Sequence, residues 1–555
     1  MKKLQRLAIM GLILAALPQL GLVAQKVSKY DQHELFSPYF FRTDGNEYRS
    51  VSGRPGSKYW QNKADYQIRA TLNEQDTTIN GEVTINYTNN SPDKLDFLWL
   101  QLDQNLFRPD SRGAATTPVS GDRFDVKGFS KGGYHIESVQ IIYNTKTYSV
   151  TPVITDARMQ VRLQTPVKPS GDKIRIKVKY SFAIPVYGAD RMGRLDTKNG
   201  IVYELAQWYP RMCVYDDIES WNTLPYMGLG EFYCEYGNFD YYLTAPADMT
   251  VVASGDLQNP QQVLTAREME RLAKARKSDE TVMIVTPEEA GQPSSRPKAT
   301  GTLTWHFKMD STRDVSWAAS KGFIWDAARV KLPSGRPAIA QSAYPIEAAG
   351  KDRYGRSTEY LKRSIEIYSD LYFEYPWNSA VSVAGVALGM EYPGIVFCQS
   401  TLKDGRLWGD ITHEIGHNWF PMIVGSNERR FMWQDEGFNT FINQFSTREF
   451  NHGEYYRTPR PEQTFRGFAR DKDPLMTAPE GMDLGGYGAY YNKTSAGLNL
   501  LREVITDSAR FDYAFRLYIH HWAFKHPQPD DFFRTMNSAV GENLDWFWKE
   551  WFFTN

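Results

Sequence analysis

The apolar residues of this chain change period part-way along, and that change narrows the folds open to it. From Tyr66 to about Phe307 they recur mostly at every second position, as in Gly81-Glu-Val-Thr-Ile-Asn-Tyr87 and Lys173-Ile-Arg-Ile-Lys-Val-Lys-Tyr180. Such alternation puts one face of a strand on a core and the other in water. The turn clusters Asn89-Asn-Ser-Pro-Asp93 and Pro169-Ser-Gly-Asp172 separate these runs. After about residue 311 the period becomes helical. Tyr360, Leu361, Ile365, Tyr368 and Leu371 make a stripe along Thr358–Leu371, which Tyr375-Pro-Trp377 stops. Ala380–Leu388 reads as a short Val-rich strand, and Asp404–Asn555 reads as mainly helical with aromatic faces. The expectation is an α+β multidomain chain: a large antiparallel β half, then a mostly helical half.

At roughly 100–200 residues per domain, 555 residues leave room for several. The expected division is residues 1–24 as a signal peptide, 25–60 as an N-terminal extension, 61–325 as the β domain and 326–555 as the helical domain. A surface insertion is expected at about 258–300, with an exposed helix over Leu264–Lys277 and a flexible loop at Gly291-Gln-Pro-Ser-Ser-Arg-Pro297. Residues 1–24 have the build of a secretory signal. Lys2, Lys3 and Arg6 precede the uncharged apolar run Leu7–Leu17, and Ala24 is a small residue at which to cut. An uncleaved membrane anchor is the lesser alternative, because Pro18 and Gln19 interrupt the run. A periplasmic or secreted protein is expected, with no transmembrane span once the signal is removed. A net charge of -1 argues against nucleic acid as a partner. An aromatic fraction of 14% excludes disorder over most of the chain. Three cysteines are too few for a disulfide framework, and whether Cys213 and Cys234 pair stays open, as does the oligomeric state.

The strongest chemical signal is His413-Glu414-Ile415-Gly416-His417. On a helix, positions i and i+4 share a face, so both imidazoles can reach one metal. Glu414 can then approach a water at that metal without being a ligand. A catalytic zinc site takes three protein ligands. Eighteen residues separate His417 from Glu436, which stands in Trp433-Gln-Asp-Glu-Gly-Phe438 at the start of a second helical pattern. That spacing lets the first helix end at Pro421, a loop turn, and Glu436 face the histidines. Asp435 is a candidate to orient an imidazole. His520 and His521 are adjacent, so they point different ways and make poor co-ligands. Asp545–Phe553 reads as a last helix docked on the catalytic core rather than a membrane-binding one.

These residues and spacings resemble the M1 family of zinc aminopeptidases, within the gluzincins. Gly389-Met-Glu-Tyr-Pro393 resembles the family's GxMEN motif, Tyr491-Asn-Lys-Thr494 its Tyr-x-Lys-Gly segment, and Gln207-Trp-Tyr-Pro210 its Gln-bearing β-domain segment. The resemblance runs over about residues 60–555. It implies a saddle-like β domain followed by a thermolysin-like catalytic domain, and one zinc ion per chain held by His413, His417 and Glu436. It assigns Glu414 as general base and Tyr491 as donor to the oxyanion. It makes Glu391 the carboxylate that holds a peptide's free N-terminus, with Gly389, Met390, Gln207 and Tyr209 as further substrate-binding residues. Tyr392 replaces the Asn of GxMEN, Thr494 replaces a Gly, Pro421-Met422 replaces Gly-Asn, and Tyr209 stands where many members have Glu or Gln. The chain ends near Trp551 without the large C-terminal helical domain of long members, which implies a more open cleft or one closed by a partner. Aminopeptidase action on peptides with a free N-terminus is the leading expectation. A zinc hydrolase of blocked peptides, protein interiors or an epoxide, and an inactive peptide-binding relative, are the alternatives.

Overall fold

The computed structural model describes residues 31, 44–116, 132–298, 300–458, 465, 466, 468, 472–482 and 486–554. The signal-like segment 1–24 and much of the expected extension 25–60 lie outside the described residues. Arg42–Asn555 forms one compact unit. Among the described residues, no helix is long and apolar enough to cross a membrane.

The alternating segments form an eight-stranded sheet. Its order is Asp256–Leu257, Thr302–Thr312, Gly237–Pro246, Lys63–Asn73, Thr78–Asn89, Asp172–Ala183, His135–Tyr143 and Lys146–Ser149. Neighbours are antiparallel except Lys63–Asn73 and Gly237–Pro246, which run parallel. The strand Asp172–Ala183 shows what sets the register. Ile174, Ile176, Val178, Tyr180 and Phe182 are buried while Lys173, Arg175 and Lys179 face out. A one-residue slip would exchange those faces, so Ile176 is held opposite both Ile85 and Ile141. A five-stranded sheet containing Gly200–Leu205 and a four-stranded sheet containing Leu95–Gln101 complete the β half and share its hydrophobic core.

The half expected to be helical is not purely so. A six-stranded mixed sheet runs in the order Val282–Val285, Ile324–Lys331, Pro337–Tyr344, Ser379–Gly385, Ile395–Gln399 and Met390–Tyr392. The expected switch to helix after residue 311 is therefore delayed to Gln399, apart from the crossover helix Ser357–Leu371 and short helical turns. The reason is burial on both faces. Every residue of Ser379–Gly385 is buried, so its strand character shows as a continuous small-apolar run instead of an alternation.

Two expected boundaries move as well. The strand Ile324–Lys331 straddles the division placed at 325/326, because the change of sheet falls between Ser320 and Ile324. The insertion at 258–300 is not a mere surface excursion. Val282–Val285 extends the six-stranded sheet by pairing with Trp325–Ala327. The helix Ala266–Ala275, closed by a Thr265–Glu268 capping box, packs on it. The loop expected to be flexible carries Arg296, which is buried and paired with Glu268 at 2.8 Å. The C-terminal segment docks as expected: Trp548 stacks on Phe533 and Phe552 reaches Trp433, all buried. Cys213 and Cys234 sit opposite each other in an isolated antiparallel bridge, with both thiols free.

Candidate metal centre

Three helices build the site. Asp404–Gly416 is amphipathic, burying Leu407, Trp408, Ile411 and Ile415, with Asp404 complementing the dipole at its N-terminus. The sequence expectation ran this helix to Pro421. It ends at Gly416, and a wider turn follows over Asn418–Ile423. His417 keeps helical dihedrals as the cap, so the i, i+4 relation to His413 survives. The second helix, Glu436–Glu449, begins on the candidate ligand itself. The third, Ala489–Leu500, carries Tyr491. Gly437 lets the last two meet, since a Cβ there would fall 2.4 Å from the Thr494 side chain and 2.6 Å from the Tyr490 carbonyl oxygen.

His413 Nε2 lies 3.1 Å and His417 Nε2 3.4 Å from Glu436 Oε2, and the two nitrogens are 3.2 Å apart. The outer ring nitrogens are fixed by acceptors. His413 Nδ1 donates to Asn443 Oδ1 at 2.8 Å, and His417 Nδ1 faces the Phe420 carbonyl at 2.9 Å and Asp435 Oδ1 at 2.6 Å. Protons held on both Nδ1 atoms leave both Nε2 lone pairs pointing at one another and at a carboxylate. A metal cation would satisfy the three converging groups together; without one, a proton on a ring nitrogen shared with the carboxylate does so. The electrostatics show how strongly the carboxylates here favour positive charge. Burial lowers the His417 pKa, but Glu391, Asp435 and Glu436 outweigh it and hold the ring well above its ordinary value. Burial likewise raises Glu436, yet His417 and His413 hold it below the carboxylate range. Two imidazoles and one carboxylate are a donor set that fits zinc with a fourth position left for water. Asn439 and Asn443 fix His413 from behind, Asn439 Nδ2 donating to its carbonyl at 2.7 Å.

Glu414 is buried, and burial first, then Asp410 and Glu391, push its pKa well above the carboxylate range. Gly389 takes φ +145°, and a Cβ there would lie 2.6 Å from Glu414 Oε1, so only glycine fits this approach. Tyr491 donates its hydroxyl to Glu436 Oε1 at 2.5 Å, and its ring stacks along His413 with centroids 5.9 Å apart. Glu391 lies on the edge strand Met390–Tyr392, and one of its oxygens falls within 4.8 Å of donor atoms of His417 and Asp435. Met390 is buried, with its sulfur 2.6 Å from Arg191 Nη1.

Two further residues expected at the substrate come from the β half. Gln207 Nε2 donates to the Tyr392 hydroxyl at 2.8 Å, so the glutamine braces the GxMEN-like strand from the β half. Tyr209 is not brought to the site. It is 1% exposed, ringed by Tyr66, Trp208 and Phe239, and its hydroxyl donates to Asp314 at 2.5 Å. Next to Pro210, its ring turns into the β core, where the Asp314–Arg211 pair fixes it. Sequence reasoning missed Glu231, Glu428, Arg191 and Arg313, which gather next to Glu391. They belong to no spaced motif, and only tertiary folding assembles them.

Comparison with known proteins fits this arrangement. Residues 356–551 match the Peptidase family M1 domain. Probable aminopeptidase 2 of Sulfurisphaera tokodaii is 21% identical over 212 residues, which cover 34% of this chain and 27% of that relative's length. An M1 zinc metallopeptidase of Deinococcus radiodurans shares the fold with a TM-score of 0.58 at 15% identity, over 90% of this chain and 96% of the other. A mutant form of that metallopeptidase, bound to a Tyr-Ser-Ala substrate, gives a TM-score of 0.59 at 14% identity, over 90% and 97% of the two chains. The domain matched over 356–551 carries the two histidines, Glu436 and Tyr491, so the site lies within the part of the chain that resembles the M1 peptidase family.

Proposed function

We propose that this protein is a zinc aminopeptidase that removes N-terminal residues from peptides. The observation that carries the reading is the convergence of His413 Nε2, His417 Nε2 and Glu436 Oε2, with Glu414, Tyr491 and Glu391 around it. A zinc ion held by those three groups would polarise the scissile carbonyl and acidify a water molecule. Glu414 takes the proton of the attacking water and returns it to the departing amine. Burial, then Asp410 and Glu391, raise its pKa above the ordinary carboxylate value, which makes it a stronger base. Tyr491 turns its hydroxyl from Glu436 to the oxygen that gains charge in the transition state, a donor worth roughly 3 kcal/mol. Glu391 holds the free α-ammonium by charge-assisted hydrogen bonds, which sets the cut one residue from the end. The peptide-bound D. radiodurans relative, with the same fold, supports a peptide as the ligand class.

Paired fluorogenic aminoacyl amides, one free and one N-acetylated, test this. The expected result is cleavage of the free-amine member alone, abolished by a chelator and restored by zinc. Cleavage of the acetylated member at a similar rate would point to an endopeptidase or another zinc hydrolase. Cleavage of neither would point to a binding protein.

A further inference from the structure

Cys213 and Cys234 are both buried and face each other across an isolated antiparallel bridge. The Cys213 amide donates to the Trp99 carbonyl at 3.0 Å, on the side away from Cys234. The bridge is therefore a non-hydrogen-bonded pair, whose Cα atoms stand about 4.5 Å apart with their side chains on one face. A disulfide needs Cα atoms roughly 4.4–6.8 Å apart. Backbone pairing thus sets the two side chains where rotation about χ1 can join the sulfurs. Burial raises the Cys213 pKa first, and Cys234 is close enough to add to that rise. Cys398, the third cysteine, stands apart in the six-stranded sheet.

The chain between the two cysteines is largely irregular. Residues 222–233 form neither helix nor strand, yet they carry Glu231 into the acidic cluster beside Glu391. Hydrogen bonds hold the end of that segment. Gln101 Nε2 donates to the Tyr233 carbonyl at 2.8 Å, the Tyr233 hydroxyl to Asp216 Oδ2 at 3.1 Å, and the Phe232 amide to Glu428 Oε2 at 3.1 Å. On the other side of the pair, Arg211 anchors its strand through Asp103 and Asp314, both at 2.6 Å. A covalent link here would join that anchored strand to the exit of the irregular segment. It would also restrict the loop 213–234 in the unfolded chain.

We propose that Cys213 and Cys234 form a disulfide when the chain folds in an oxidising compartment, and that this link staples segment 222–233 to the β half. The inference does not depend on the aminopeptidase reading. The oxidant is a disulfide donor, either a thiol–disulfide oxidoreductase or glutathione disulfide. One cysteine thiolate attacks a donor sulfur and releases a first thiol; the other attacks the mixed disulfide and releases a second. One S–S bond forms, and the two protons and two electrons of the S–H groups end on the donor. Burial keeps both thiols protonated once the protein is folded, so the exchange belongs to the folding chain and the finished bond is shielded.

The test uses the full-length protein, exported to a bacterial periplasm, denatured in an alkylating agent and mapped by mass spectrometry without reduction. The expected result is a linked pair of peptides carrying Cys213 and Cys234, with alkylation at Cys398 alone. Alkylation at all three cysteines, or a link through Cys398, overturns the proposal. Heating with a phosphine reductant checks the staple. The wild-type Tm should fall by roughly 5 °C, while Cys213→Ala, which already lacks the bond, should not respond. A wild type that does not respond, or a variant that responds equally, overturns the stapling role. Cys234→Ala makes the same comparison if Cys213→Ala does not fold, and the peptide map of the wild type needs neither variant.

Discussion

The proposed metal-binding side of this site and the side around Glu391, proposed to hold an ammonium, are built in opposite ways. The three metal-facing donors fall between residues 413 and 436, on two helices that follow one another in the chain. The side around Glu391 gathers Glu231, Glu391 and Glu428 from segments far apart. Arg191 joins Glu231, 40 residues away, to Met390, 199 residues away, and Glu428 accepts from the Phe232 amide across 196 residues. On the proposed reading, bond cleavage is thus held by helix geometry, while recognition of the peptide's end depends on how the β half meets the strand Met390–Tyr392, as in the Gln207–Tyr392 hydrogen bond.

Substitutions can break this contrast or sharpen it. The largest loss is expected for Glu414→Gln, which should lower kcat by roughly a hundred- to ten-thousand-fold on every substrate while elemental analysis still finds zinc. Tyr491→Phe should lower kcat ~100-fold or more, with little change in KM. On the recognition side, Glu391→Ala should cost roughly 10–100-fold in kcat/KM on free-amine substrates and shrink the preference for them over acetylated ones; an unchanged preference would erase the distinction between the two sides. Tyr209→Phe should leave kcat/KM within about twofold. Chemical unfolding should show a loss of about 2 kcal/mol, from the buried bond to Asp314.

The smallest effect is a pH dependence under the GxMEN-like loop. Glu204 is fully buried and accepts hydrogen bonds from the Val386 and Ala387 amides at 2.8 and 2.9 Å. Burial pushes its pKa from the ordinary 4.5 up to about 8, against the pull of those two amides. The folded state therefore holds a proton that the unfolded state releases between those values. This contribution to stability is complete below about pH 4.5 and is lost as pH rises toward 8. Glu204→Gln, a mimic of the neutral form, should flatten the fall in Tm over that window; an unchanged slope would show that Glu204 is not its source.

The same contrast explains what could be read from the sequence. His413, Glu414, His417 and Glu436 were legible because a helix repeats its face every three or four residues, so spacing alone brings them together. The strands of the β half were legible wherever one face met water, as in Asp172–Ala183. Ile324–Lys331 and Pro337–Tyr344 went unread because burial on both faces removes alternation. Tyr209 was misplaced because adjacency to Gln207 says nothing of where a side chain turns. Glu231 carried no signal at all: a lone glutamate in an aromatic loop gains meaning only when folding sets it beside Glu391.

The most direct test is metal stoichiometry. The purified protein, dialysed against metal-free buffer and analysed for zinc beside Glu436→Ala and His413→Ala, should hold one zinc ion per chain, and both variants should hold almost none. A wild type that holds no zinc, or variants that keep a full equivalent, would contradict the assignment of His413, His417 and Glu436 as the centre around which the site is organised.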